Sequence, residues 1–132
     1  MKLKKDKYLL ETDILIQHLT MHESEKLSGL EVALTKGVLF TTVLNAAEVK
    51  LLELESDNKE CVDGILSGIH ILGLHFRYAA NVDEFYPKTQ SVRDSLFCVT
   101  AKINKLPILT DNPERYENIG IKVYTTDDLR NL

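Results

Sequence analysis

The 132 residues carry 16 Lys and Arg against 20 Asp and Glu, a formal net charge of −4, and 44% are hydrophobic. That size and composition suit one domain spanning residues 1–132, with a core that needs no disulfide or structural metal. The acidic balance excludes a generic nucleic-acid coat, which needs clustered Lys and Arg, and no apolar run reaches the ~18 residues of a membrane span.

In chain order, the pattern of apolar and turn residues predicts alternating strands and helices. Lys7 to Leu10 reads as a short buried strand and Ile14 to Leu19 as the start of a helix. Residues 27–36 read as a helix ending near Gly37, and Val38 to Val43 (VLFTTV), rich in β-branched and aromatic residues, as a strand. Leu44 to Glu55 has apolar residues at helical spacing, Leu44, Ala47, Leu51 and Leu54. A further helix is expected from Ser56-Asp57 towards Leu66, then an extended run from Ile69 to Leu74. His75 to Tyr86 reads as a helix stopped by Pro87, and Ser91 to Asn104 as a strongly amphipathic one. Pro107 to Thr110 reads as a strand, Pro113 to Asn118 as a helical turn, and Ile121 to Tyr124 as a last strand. Short apolar strands alternating with helices predict an α/β sandwich of three layers, α/β/α, around a central, largely parallel sheet.

In such sheets function collects beyond the carboxyl ends of the strands. Polar residues sit at those seams: Glu11, Thr12 and Asp13 after the first strand, Asn45 and Glu48 after the second, and Asp111 and Asn112 after PILT. Asp94 opens the long amphipathic helix. Each has a plain structural reading. Asp13 suits a helix N-cap, Asn45-x-x-Glu48 and Ser91-x-x-Asp94 resemble capping boxes, and Asn112-Pro113 suits a helix start. Gathered in one pocket, several carboxylates repel and raise one another's pKa values, a conflict that a hard divalent cation with oxygen ligands resolves. Such a cation bridges phosphates and activates water.

Three stretches carry a family resemblance. YLLETDILI resembles the opening of PIN domains, an apolar strand followed by an acid, a Thr and a polar residue. TTVLNAAEVKLLE resembles their second block, and RDSLFCVTAKINKLPILTDNPERYENIGIKVYT their third and fourth. The order and separations cover nearly the whole chain, and the length is similar to that of small toxins of the VapC type. The resemblance implies a metal-dependent endoribonuclease, a hydrolase that leaves a 5′-phosphate and a 3′-hydroxyl on RNA such as tRNA or mRNA. It implies Mg²⁺ or Mn²⁺ as cofactor, a cognate antitoxin protein as partner and a homodimer, and the reading of both cysteines as reduced suits a cytoplasmic location. Carried over by position, Glu11, Glu48, Asp94 and Asn112 are the catalytic positions. Glu11, Asp13, Glu48, Asp94 and Asp111 are the candidate metal ligands, with Thr12, Thr110 and Arg93 beside them. Glu11 stands where the family has Asp, one methylene shorter, and Asn112 stands where many members have Asp. These two departures imply the alternative: a catalytically degenerate PIN-like module that binds RNA or a protein partner without cleaving.

Other residues read as structural. His18, His22, His70 and His75 form no ligand pattern. Tyr8, Phe40, Phe76, Phe85 and Phe97 are expected in the core rather than as a base-stacking platform. Arg93 suits either an RNA phosphate or a carboxylate. Cys61 and Cys98, in no CxxC pair, read as reduced, buried small hydrophobes. Lys2, Lys4, Lys5 and Lys7 read as a solvated terminus. Asp57 and Lys105 sit at distances that suit a receiver domain, but Asp57 follows a predicted helix rather than a strand.

Overall fold

A computed structural model describes residues 6–21, 26–53, 59–89 and 91–132. The predicted strand at residues 7–10 is β1 (Asp6–Leu10), and the one at 38–43 is β2 (Gly37–Thr42). The remaining strands are shorter than expected: β3 (His70–Leu72), β4 (Ile108–Leu109) and β5 (Val123–Tyr124). All pairings are parallel, in the order β3-β2-β1-β4-β5. Leu9 lies opposite both Phe40 and Ile108, which fixes the register at the centre of the sheet.

Side chains alternate across the sheet, as the strand period requires. Tyr8, Leu10, Leu39 and Leu109 enter one core, with Ile14, Leu15, Leu30, Val49, Val62 and Leu129. Leu9 and Ile108 enter the other, with Tyr78, Phe85, Phe97, Val99 and Tyr116. The first core is covered by α1 (Thr12–Thr20), α2 (Gly29–Lys36), α3 (Val43–Glu53), α4 (Lys59–Ser67) and α7 (Thr126–Arg130). The second is covered by α5 (Phe76–Ala79) and α6 (Val92–Ile103). The predicted α/β/α sandwich is therefore present. Leu9, Leu10, Ile108 and Leu109 have no exposed surface, and burying each such side chain contributes about 1.5–3 kcal/mol.

Several local expectations change. The first helix is capped by Glu11, whose carboxylate accepts the Thr12 N–H at 2.8 Å, and not by Asp13. The helix expected from 75 to 86 breaks after one turn, with short 3₁₀ turns at Val82–Glu84 and Tyr86–Lys88. Phe76 stays on the surface, 82% exposed, and Cys61 is also exposed, on the rim of an apolar groove with Leu19, Leu34 and Ile65. Cys98 is buried as expected, and burial pushes its thiol up to about 12. The expected helix start at Ser56-Asp57, with His22, Lys2, Lys4 and Lys5, lies outside the described residues. Among the described residues no helix is long and apolar enough to cross a membrane.

Candidate functional site: an acidic pocket filled by arginine

The chain passes from β1 to β2 on one side of the sheet, and β4 then adds on the other side of β1. The carboxyl ends of β1 and β4 therefore flank a topological switch point, where open parallel sheets leave a crevice. Glu11 follows β1 directly and has no exposed surface. Glu48 reaches the crevice from α3 and Asp94 from the first turn of α6, whose N-cap Ser91 accepts the Asp94 N–H at 3.1 Å. Three of the four predicted catalytic positions thus meet, although 36 residues separate Thr12 from the Glu48 carboxylate that accepts its hydroxyl at 2.6 Å.

What joins them is Arg93. Its Nη1 donates to Glu11 Oε2 at 2.6 Å and to Asp94 Oδ1 at 3.2 Å. Its Nη2 donates to Glu11 Oε1 and to Glu48 Oε1, both at 2.5 Å, and to Thr12 Oγ1 at 3.0 Å. The guanidinium is thus forked onto Glu11, the geometry in which Arg–carboxylate pairs are strongest. It packs over the Phe97 ring at 5.5 Å, one helical turn along α6. A second guanidinium, Arg115, donates to Asp94 through Nη2 at 2.6 Å and Nε at 3.3 Å, and lies over the Tyr116 ring. The Tyr116 hydroxyl donates to Glu11 Oε2, and the Asn45 amide donates to Glu11 Oε1 and Thr12 Oγ1, both at 2.9 Å.

The pKa directions follow from these contacts. Burial alone would raise the Glu11 carboxyl. The Arg93 hydrogen bonds and charge, the Tyr116 hydroxyl and the Thr12 N–H outweigh it, so the carboxyl lies below its ordinary value. Arg93 and Arg115 are held charged against burial by the carboxylates they grip. Burial first, then the Glu11 charge, pushes the Tyr116 hydroxyl well above its ordinary value, so it stays a donor.

Asp13 and Asp111, expected among the metal ligands, are engaged elsewhere. Asp13 accepts the Thr110 hydroxyl at 2.9 Å and the Asp111 N–H at 2.8 Å. Asp111 accepts the Thr126 N–H and hydroxyl at 2.7 and 2.8 Å and the Gln17 amide at 3.1 Å. The pair fastens α1 and α7 to the end of β4. The Asn112 amide faces Glu114, and its backbone N–H donates to Thr110 Oγ1 at 3.1 Å. Asn112 therefore sits on the turn after β4 and makes no recorded contact with Glu11, Glu48 or Asp94.

The sequence reading missed Asn45 as a pocket residue, and Arg115 and Tyr116 altogether. Asn45 carried a signal, read there as a cap: it follows the Thr-rich strand by three residues, and its Oδ1 accepts the Thr42 N–H at 3.0 Å. The same residues decide whether a divalent cation fits. Each carboxylate of the pocket already has a guanidinium partner, and among the described residues no three His, Cys, Asp or Glu side chains are arranged to hold a metal ion. As assembled, the donor set does not fit Mg²⁺ or Mn²⁺.

No protein-family model matches the sequence, and no curated protein matches it. Solved structures do. A chain of a DNA-bound VapBC complex from Salmonella typhimurium matches with a TM-score of 0.76 at 18% identity, over 92% of this chain and 98% of that one. The chain has the fold of these toxin–antitoxin proteins. A toxin–antitoxin complex from Klebsiella pneumoniae gives a TM-score of 0.75 at 18% identity, over 89% and 96% of the two chains. VapBC2 from Rickettsia felis, bound to a promoter DNA fragment, gives 0.69 at 19% identity, over 90% and 98%. The PIN-like architecture expected from the motifs is present along the whole matched length. At these identities the likeness speaks for the fold, and the pocket must be judged on its own residues.

Proposed function

We propose that this chain is the toxin-side, PIN-like module of a cytoplasmic toxin–antitoxin pair, a homodimer that acts by binding its protein partner without hydrolysing RNA. The likeness to chains of toxin–antitoxin complexes supports the setting. The single observation that carries the non-hydrolytic reading is the Arg93 guanidinium, bonded at once to Glu11, Glu48 and Asp94. A hydrated divalent cation supplies both positive charge and an activated water. A guanidinium supplies charge and direction, but it has no lone pair and no water to activate.

A second reading has its own observation in favour. Glu11, Glu48 and Asp94 converge at the carboxyl edge of the sheet, where a Mg²⁺- or Mn²⁺-dependent endoribonuclease of tRNA or mRNA would need them. In that reading both arginines must leave the carboxylates before a cation can enter. Incubating the purified chain with total tRNA in Mn²⁺, in EDTA, and as the Asp94→Asn variant separates the two. The expected result is intact RNA in every lane. Cleavage that needs both Mn²⁺ and Asp94 would replace the first reading with the second.

A further inference from the structure

The mismatch between an acidic pocket and the cation that fills it has a specific form. Glu11 and Asp94 are almost wholly enclosed, each side chain 1% exposed, and both are gripped by arginine. Arg93 is the more enclosed arginine, 21% exposed against 30% for Arg115, and only Arg93 reaches Glu11, Glu48 and Asp94 together. Its placement is built rather than incidental. The chain leaves α6 at its second residue, stacks on Phe97, and ends on five pocket oxygens and the Tyr116 hydroxyl. The fit is nevertheless incomplete. Arg93 Nε–H is buried and finds no acceptor among the described residues, which is costly for a buried donor.

We propose that Arg93, seconded by Arg115, is the resident counter-ion of this pocket, an internal plug seated where a divalent cation would otherwise bind, and that removing it uncovers a latent cation site on Glu11, Glu48 and Asp94. The proposal rests on the non-hydrolytic reading of the same pocket. Arginine is suited to the place. Its charge is permanent, its planar fork matches a carboxylate, and it is more weakly hydrated than an ammonium, so it tolerates enclosure over an aromatic ring. Withdrawing it leaves the carboxylates of Glu11, Glu48 and Asp94 with Arg115 as their one remaining guanidinium among the described residues, and withdrawing both leaves them unbalanced, the situation that recruits a hard cation.

The test is Mn²⁺ binding by calorimetry and by thermal unfolding, on the full chain and on Arg93→Met and the Arg93→Met/Arg115→Met pair. The wild type is expected to show no saturable Mn²⁺ binding and no shift in Tm. The variants are expected to bind at least about tenfold more tightly and to regain part of their lost Tm when Mn²⁺ is added. Adding Glu11→Gln should abolish the gain. If Arg93→Met does not fold, Arg93→Gln carries the same comparison, because its neutral amide keeps hydrogen bonding to the pocket while removing the positive charge. Stoichiometric Mn²⁺ binding by the wild type, or a folded Arg93 variant with no gain, overturns the plug. The tRNA assay fails separately. Intact RNA with no gain in Mn²⁺ binding removes the plug and leaves the non-hydrolytic reading standing. Cleavage by the wild type without any metal removes that reading and leaves the plug to the binding result.

Discussion

A double-mutant cycle on Glu11 and Arg93 probes the pocket most directly. Arg93→Met leaves the Glu11 carboxylate enclosed with a tyrosine hydroxyl, an asparagine amide and one backbone N–H, but no cation in hydrogen-bond contact. Glu11→Gln leaves a guanidinium pointing at a neutral amide. Breaking a buried pair by removing one partner costs about 3–5 kcal/mol. The Arg93–Glu48 contact adds little to that figure, because the Glu48 side chain is 43% exposed and exposed pairs contribute about 0–1 kcal/mol. Asp94 keeps Arg115 when Arg93 is removed. The double variant therefore strands no charge that water or a second arginine does not reach, and it should cost little more than the worse single. The coupling expected is thus about 3 kcal/mol, the upper end for residues in contact. Urea unfolding followed by circular dichroism reads it, with m held constant across the four proteins. Additivity within about 0.5 kcal/mol would show that the two groups act independently, and the plug would lose its physical basis.

Three further outcomes follow from named contacts. Glu11 titrates below its ordinary value of 4.5, so its contribution is fully present above that pH and is lost as pH falls through and below it. Asp13, raised by burial, opposes this, so acid unfolding should be shallower in Glu11→Gln and steeper in Asp13→Asn than in the wild type, as midpoint urea concentrations from pH 6 to pH 3 will show. Asp111→Ala removes the acceptor of the Thr126 N–H at the start of α7 and should cost about 1–2 kcal/mol, the range of a lost helix cap, with no change in Mn²⁺ binding by either the wild type or the Arg93 variants. Gly37→Ala places a Cβ against the backbone carbonyl of Asp6, across the β1–β2 pairing, and should cost at least the roughly 1–3 kcal/mol of overpacking. Unchanged thermal unfolding of that variant would show that β1 shifts freely.

The parts of the fold legible in the sequence are those where local pattern and tertiary demand agree. VLFTTV is β-branched and aromatic, and it is a strand; SVRDSLFCVTAKI is amphipathic and capped by Ser91, and it is a helix. The stretch from His75 to Tyr86 has helical composition but no partner surface long enough, so it breaks into turns that pack Tyr78 and Phe85 and leave Phe76 outside. The helix α7 was overlooked despite its capping box, in which Thr125 accepts the Asp128 N–H and Asp128 accepts the Thr125 N–H. Asp111, a candidate ligand by its place after PILT, is instead the acceptor that holds the start of that helix. The convergence of Glu11, Glu48 and Asp94 could be anticipated from the strand-end seams for the first two and, for Asp94 at a helix start, from the motif resemblance. Arg93 was placed beside them with a carboxylate as one of its two partners, but its seat on all three could not be read, because position on a helix does not say which of several acceptors a long side chain takes; Tyr116, 105 residues from Glu11, gave no such signal.

The two departures in the motifs, Glu11 and Asn112, take on a different sense once the arginines are counted. Glu is one methylene longer than Asp. Here that length carries the carboxylate to both Arg93 Nη atoms and the Tyr116 hydroxyl, while Oε1 still reaches the Thr12 N–H and caps α1. One side chain thus does both jobs suggested by its position at the seam, holding the helix start and forming a wall of the pocket, and its ligand is a guanidinium. With two fixed positive charges facing the three carboxylates of Glu11, Glu48 and Asp94, the pocket keeps one negative charge unbalanced. An acid at position 112 would face the like charge of Glu114, and the neutral amide turned towards that carboxylate avoids it. The glutamate thus belongs to the electrostatics of the pocket, and the asparagine to the turn after β4 beside it. Glu11→Asp should weaken the pocket, and neither that variant nor Asn112→Asp should bind Mn²⁺ in calorimetry as long as Arg93 remains.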